Sequence, residues 1–372
     1  LFGGAVSAVP FTIVHFDVPQ RVQGVGWPHW PEINVPVAVG SRPQYDPVVV
    51  ADSTGGSYIG WYEHNGSNYD IRMQHLDAFG RRVTGWPSDG IQIGVTAGEQ
   101  LYPRMVADQV GGVIVTWQDS RTGDWDIYAQ HVLADGGFTS GWPMNGLAVC
   151  TQGSHQYAPA IVRTLTGGAY VGWRDSRYGA HYPHLQRLEA NGSVASGWPA
   201  DGQFVSSYGA NQAIALILEA DDDVLMGFTD WSYSRPVITR FEATGARDPQ
   251  WPNDGRMMPG NGAMSYVSPM ISDGQGGAYF ALADGSSYWS MNHVLSNGVW
   301  PASGYMSMSI SQPGVPVLAA DGQGGVYIAW ASYQSGNSNI YGSHFTFSGL
   351  LSPGWSSNGA VICLQANDGP VR

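Results

Sequence analysis

The chain has 372 residues, among them 51 glycines and 23 prolines, with 12% aromatic and only 12% charged residues. That composition describes a turn-rich, aromatic-rich β protein and excludes a disordered one. The net charge of −13 comes from 29 acidic and 16 basic residues, all of the latter arginine, and so few cations exclude a nucleic-acid groove or a polybasic membrane contact.

The elements repeat in chain order. A Trp-Pro corner recurs at Trp27, Trp86, Trp142, Trp198, Trp251 and Trp300, and as Gly-Trp at Trp355. The corners stand 49 to 59 residues apart, and seven in 372 residues give about 53 residues per unit, within the range of a four-stranded propeller blade. The chain opens inside a unit: Gly3-Gly4 reads as the hairpin before a second strand, and residues 3–40 supply second, third and fourth strands. Six complete units then begin near Tyr45, Leu101, Tyr157, Asn211, Tyr266 and Val315. Each starts with a short first strand, and Pro47, Pro103, Pro159, Pro269 and Pro316 mark five of them. A tight hairpin follows, Gly-rich because such turns need positive φ. The second strands, such as VIVTW at 113–117 and AYVGW at 169–173, are apolar on both faces, which predicts burial between neighbouring sheets. The third strands, such as IRMQHL at 71–76, read as amphipathic, and the fourth, such as LAVC at 147–150, as short and outermost. Residues 367–372 read as the opening of a first strand, so the strand missing at one end of the chain is present at the other.

The predicted fold is therefore an all-β, seven-bladed β-propeller of four-stranded antiparallel blades in a single domain, one blade closed by both termini so that no sheet edge is left open. Its blades are 1–44 plus 367–372, 45–100, 101–156, 157–210, 211–265, 266–314 and 315–366. An open array completed by the next subunit is the alternative. No apolar run approaches the roughly 18–20 residues of a membrane span. Cys150 and Cys363 close last strands of units far apart along the chain, so no disulfide is expected between them.

The segment from Trp117 to His131, W-Q-D-S-R followed by D-I-Y-A-Q-H, resembles a repeat of secreted or surface bacterial proteins of unassigned function. The resemblance covers nearly the whole chain. It implies a propeller and an extracellular or cell-surface location, and it implies no activity.

A repeat supplies its own control: residues that recur at one register are structural, and those that break it are candidates for function. Trp61, Trp117, Trp173 and Trp330 recur at the end of the second strand, which predicts packing between blades. Glu63, Asp119, Asp175, Asp230 and Asp284 recur two places on, with Arg121 and Arg177 after two of them, which predicts local pairing. His75, His131 and His344 share a register in separate blades and are not expected to bind a metal. Gln44, Gln100 and Gln156 stand three before a first-strand proline and are expected to be scaffold lining the ring. Asp221-Asp222-Asp223 lacks calcium-loop spacing and reads as a solvated hairpin turn. No cofactor is expected; a structural calcium is conceivable but no motif indicates one.

The unit at 157–206 breaks register most. His181, Tyr182 and His184 stand where the preceding unit has Trp125, Asp126 and Tyr128, and His155 stands where it has Glu99. In a propeller the loops concerned share a face, so His155, Arg177, Tyr178, His181 and Tyr182 are expected to converge. In such a cluster a neutral histidine could remove the proton α to a uronate carboxylate, an arginine neutralise that carboxylate, and a tyrosine protonate the leaving oxygen. The same face should carry Trp125, Trp231, Tyr233, Tyr288, Trp289 and Tyr333, rings suited to stacking on sugars or to a protein partner. Three readings follow: a secreted or cell-surface propeller binding glycan or protein; a polysaccharide lyase or glycoside hydrolase using His155, His181, Tyr182 and Arg177; or a self-assembling subunit of a filament or surface layer.

Overall fold

The computed structural model describes residues 36–210, 214–258, 266–267, 270–283, 288–300, 306–309, 316–332, 339–356 and 358–363, of which 266–267, 282–283, 288–290, 306–309 and 363 are described by backbone alone. Six antiparallel sheets account for them, and no helix is present among the described residues. Sheet one runs β1 (Gln44–Ala51), β2 (Ser57–His64), β3 (Tyr69–Leu76), β4 (Ile91–Ile93). Sheet two runs β5 (Gln100–Ala107), β6 (Val113–Asp119), β7 (Asp126–Val132), β8 (Leu147–Cys150), and sheet three β9 (Gln156–Arg163), β10 (Ala169–Asp175), β11 (Tyr182–Leu188), β12 (Gln203–Phe204). Sheet four is β13 (Ala215–Leu218), β14 (Val224–Asp230), β15 (Arg235–Phe241), β16 (Arg256–Met257). In sheet five the first strand comes in two pieces, β17 (Tyr266–Val267) and β18 (Ile271–Ser272), both paired with β19 (Ala278–Ala283), then β20 (Tyr288–Val294) and β21 (Met306–Ser309). Sheet six is β22 (Val317–Ala320), β23 (Val326–Ser332), β24 (Asn339–Phe345), β25 (Ala360–Cys363). Each sheet is a meander whose strands pair in sequence order, as the repeat predicts. The blade expected from 1–44 and 367–372, and with it the pairing that motivated self-assembly, falls largely outside the described residues.

The described residues fall into two compact units, one of residues 36–232 and 237–256, the other of 233–236 and 257–363. In the first, β1, β5, β9 and β13 pack in succession. The core lies between adjacent sheets: Tyr58, Met73 and Trp86 of sheet one interlock with Met105, Val115 and Trp117 of sheet two, and Ile127 and Trp142 of sheet two with Val171 and Trp173 of sheet three. In the second unit Tyr279 and Met291 of sheet five pack on Ile328 and Trp330 of sheet six. The second strands β6 and β14 are buried throughout, as expected, whereas β23 keeps Tyr327 exposed. The third strands depart from the amphipathic reading. β7 is buried throughout; Thr122 donates to Asp126, Gln130 Nε2 donates to the Pro143 carbonyl at 2.6 Å, and His131 Nδ1 is buried without a partner among the described residues. Gln74 and Gln186 hold Pro87 and Pro199 in the same way, at 2.7 and 2.6 Å.

Those prolines belong to three of the Trp-Pro corners, which tie sheets one, two and three each to the following one. Trp86, Trp142 and Trp198 donate from Nε1 to the carbonyls of Ala134, Ala190 and Ala243 at 2.9, 2.9 and 3.1 Å. The glycines before these three corners, Gly85, Gly141 and Gly197, all have positive φ. Gly141 has φ +92°, and a Cβ there would stand 2.4 Å from the Asn191 carbonyl oxygen.

The recurring histidines form a device not read from the sequence. His75, His131, His293 and His344 each place Nε2 against a hairpin aspartate, Asp52, Asp108, Asp273 or Asp321, at 2.8, 2.8, 2.7 and 2.9 Å. The other carboxylate oxygen accepts two hairpin amides, those of Val110 and Gly112 in the case of Asp108, at 2.8 and 2.7 Å. In sheets three and four, arginine stands at the histidine register. Arg187 reaches across to Asp222 at 2.6 Å, and Arg240 binds Asp221 and lies 3.1 Å from Asp223. The triple aspartate is thus an ion-paired hairpin rather than a solvated turn, with Asp222 at 9% exposure.

The first-strand prolines mark bulges. The register of β1, β5 and β9 shifts there, and the preceding residues Asp46, Tyr102 and Ala158 have φ of 47°, 56° and 51°. Proline, lacking an amide donor, is suited to a bulge where one ladder bond is already lost. Of the three glutamines beside them, Gln100 and Gln156 are fully buried: Gln100 accepts the Ile71 amide of β3 and donates to Thr96, and Gln156 donates to the Gln152 carbonyl, while Gln44 is exposed and donates to Glu63 at 3.1 Å.

Candidate functional site

The structure splits the cluster expected around sheet three into three places. Arg177 belongs to the scaffold. Its guanidinium grips Asp175 through Nε and NH2 at 2.9 and 2.6 Å and also reaches the Asp201 carbonyl and the Cys150 sulfur. Asp175 in turn accepts from Trp173 Nε1 at 2.9 Å, and Trp117, Asp119 and Arg121 repeat the fork in sheet two. Burial raises the carboxyl pKa of Asp175, but the Arg177 and Trp173 bonds outweigh it and hold the group below the usual carboxylate range. The expected carboxylate-neutralising role of Arg177 is therefore not what its geometry supports.

His184, Tyr178 and Tyr182 lie toward the outer strand β12. His184 is buried and stacks on Trp173 on one side and Tyr178 on the other, with ring centroids 5.8 and 6.2 Å apart. Burial holds its pKa down at about 4, with Arg177 adding to the shift and Asp175 opposing it, so the ring is neutral at pH 7. Phe204 closes the group edge-on to Tyr178 and His184, at 5.9 and 5.6 Å. Tyr178, Tyr182, Phe204 and Ser207 line an open depression of about 410 Å³, into whose rim Tyr178 projects at 62% exposure.

His155 and His181 lie on the other side of the loop, over β9. Tyr157 stands between them, 5.5 Å from His155 and 5.4 Å from His181. His155 accepts the Trp125 amide on Nδ1 at 3.1 Å, which leaves its proton on Nε2 and occupies the lone pair a general base would use. Among the described residues no hydrogen bond engages the ring nitrogens of the exposed His181. Burial lowers its pKa, and the charges of Arg174 and His155 lower it further. No group of three or more metal-ligating side chains occurs among the described residues.

Of the expected aromatic face, Trp125 is half-buried, and its carbonyl accepts from Gln156 N at 2.6 Å. Trp231 and Tyr233 are exposed at 58% and 60%, Trp231 lying against Gly209. The side chains of Tyr288 and Trp289, and Tyr333 altogether, lie outside the described residues. Sequence reasoning missed Tyr157, Arg174 and Phe204. Arg174 was findable, since it takes the cross-strand position of Gln118 and Tyr62 in the preceding sheets.

No protein-family model matches the chain, and no curated protein matches it. Among solved structures it is similar to a puromycin hydrolase (13% identity, TM-score 0.47, covering 84% of this chain and 46% of the other). It is also similar to a family-43 glycoside hydrolase from Xanthomonas citri (10%, 0.38, 84% and 92%) and to the polysaccharide lyase Uly1 (11%, 0.40, 63% and 54%). The chain thus spans about half the length of the puromycin hydrolase.

Proposed function

We propose that this chain is a seven-bladed β-propeller, secreted or displayed at the cell surface, that binds carbohydrate through the face carrying its second-to-third strand loops. One observation carries the binding reading: Trp173, His184 and Tyr178 stack in series from core to surface, and the outermost ring opens beside the depression lined by Tyr182, Phe204 and Ser207. A ring braced from beneath has little motion left to lose when a sugar face stacks on it, so stacking there is favourable. Six meanders at the repeat spacing, with forward-reaching Trp ties linking the first four, support the propeller. The secreted or surface location rests on the resemblance of the Trp117–His131 segment.

The test is a glycan array with the intact chain, followed by titration of each hit against Tyr178→Ala. The variant is expected to keep its circular dichroism and lose about tenfold or more in affinity, as for truncation of a central aromatic anchor. Unchanged affinity would remove Tyr178 from the site. An empty array would reject carbohydrate binding in favour of a protein ligand.

A further inference from the structure

Three neighbouring sheets of the first unit repeat one register at the end of the first and second strands away from their hairpin. The cross-strand pairs there are Tyr45 with Tyr62 in sheet one, Leu101 with Gln118 in sheet two, and Tyr157 with Arg174 in sheet three. The residue leading into each third strand adds Tyr69, Trp125 or His181.

Contacts link neighbouring sheets at two places along this row. Tyr62 stacks on Tyr45 at 5.6 Å and meets Tyr69 edge-on at 5.3 Å. Tyr102, at the bulge of β5, meets Tyr62 edge-on at 6.0 Å and so joins sheets one and two. Between sheets two and three, Gln118 accepts the Ala158 amide at 3.3 Å and Trp125 donates its amide to His155 at 3.1 Å. Tyr157 then links His155 to His181. Tyr45 and Tyr102 are 43% and 36% exposed, and the His155 side chain 42%.

The two ends differ in charge. At the sheet-one end Asp46 accepts from the Tyr62 hydroxyl at 3.2 Å, and rings dominate. At the sheet-three end Arg174, His155 and His181 gather around Tyr157, with Asp124 3.6 Å from His155. In a chain with only 16 cationic side chains, Arg174 supplies the positive charge at this end and the unengaged His181 ring a hydrogen-bond donor, with Asp124 opposing on the His155 side. Rings spaced along a row suit successive sugar faces, and a guanidinium beside imidazoles suits a carboxylate.

We propose that this row is the binding track for a linear uronate-bearing polysaccharide, with sugar faces on Tyr45 and Tyr102 and a carboxylate at Arg174 and His181. The assignment rests on the carbohydrate reading above and names its ligand class.

The experiment measures affinity of the intact chain for pectate, alginate and glucuronan fragments, each against its carboxyl-reduced counterpart. Wild type should bind at least one acidic form about tenfold tighter than its reduced form, the worth of one charge-assisted hydrogen bond. The paired substitution Arg174→Gln with His181→Gln should abolish that preference while leaving the reduced form bound as before. Tyr102→Asn, which tolerates the positive φ, should weaken both forms alike. Circular dichroism checks folding, and Arg174→Lys should restore part of the preference. Equal affinity for charged and reduced forms would overturn the assignment, as would a preference that survives the paired substitution or binding of polyglutamate as tight as that of any uronate. If neutral glycans bind through Tyr178 while the row variants are silent, this inference falls and the carbohydrate reading stands. If no glycan of either form binds, both fall.

Discussion

Removing one hairpin carboxylate tests the Asp–His brace. Asp108→Ala deletes the acceptor of three bonds, from Val110 N, Gly112 N and His131 Nε2, at 2.8, 2.7 and 2.8 Å. A hydrogen bond to a charged group contributes about 1.5–3 kcal/mol, and a buried donor left unsatisfied costs about 1–3 kcal/mol. The Val110 amide is near the surface and regains water, whereas the Gly112 amide is buried. The expected loss is therefore about 3–4 kcal/mol. His131→Ala should cost about 2–4 kcal/mol, since the ring also packs edge-on to Trp142. The double variant should cost less than the sum by about 1.5–3 kcal/mol, because each single change strands the other partner. The assay is urea unfolding followed by tryptophan fluorescence and far-ultraviolet circular dichroism together, so that coincident transitions license the free energies. A loss under about 1 kcal/mol for Asp108→Ala, or coupling within about 0.5 kcal/mol of zero, would refute the brace.

Acid should weaken the same device. Burial raises the carboxyl pKa of Asp52 and Asp273, but the histidine bonds and hairpin amides outweigh it and hold both groups below the usual range. Their stabilisation is complete above the unfolded value of about 3.9 and is lost as pH falls through the lower folded value, so the melting-temperature gap between wild type and Asp273→Asn should persist from neutral pH to about 5 and close below about 4. A gap that widened in acid would contradict this sign. Gly146 has φ +88°, and a Cβ there would stand 2.5 Å from the Trp117 ring, so Gly146→Ala should destabilise by about 2–4 kcal/mol in urea unfolding; a neutral result would mean the ring gives way. Burial pushes the Cys150 thiol up to about 12, so in a Cys363→Ser background it should resist Ellman's reagent at pH 8 when folded and react promptly in urea; rapid labelling of the folded chain would show it to be accessible.

The meanders were legible because each second strand is an apolar run bounded by a Gly turn and a polar corner, a pattern set by local chemistry. Strand ends such as Leu147–Cys150 fall where the repeat puts them. What escaped depends on partners distant along the chain. The separation of 23 residues between Asp and His recurs in sheets one, two and six and shrinks to 20 in sheet five, where the unit is shorter. That recurrence was readable, but an aspartate before Gly-Gly resembles an ordinary turn residue. Arg177 was misjudged for the opposite reason: Arg121 shares its register, which already marked it as scaffold. The rings of Tyr178 and His184 were flagged by their departure from the repeat, yet which side of the loop each would take depends on packing against Trp173 and Phe204, and no spacing states that.

The three Trp-Pro ties of the first unit point one way along the chain. Trp86, Trp142 and Trp198 find their acceptors 48, 48 and 45 residues downstream. A ribosome makes these sheets in the same order, so each sheet emerges with an indole whose acceptor is not yet synthesised. At roughly 5–20 residues per second the wait is about 2–10 seconds. Across the first four sheets each new sheet thereby locks the one before it, and a translational pause there leaves a single unlatched sheet at the growing end.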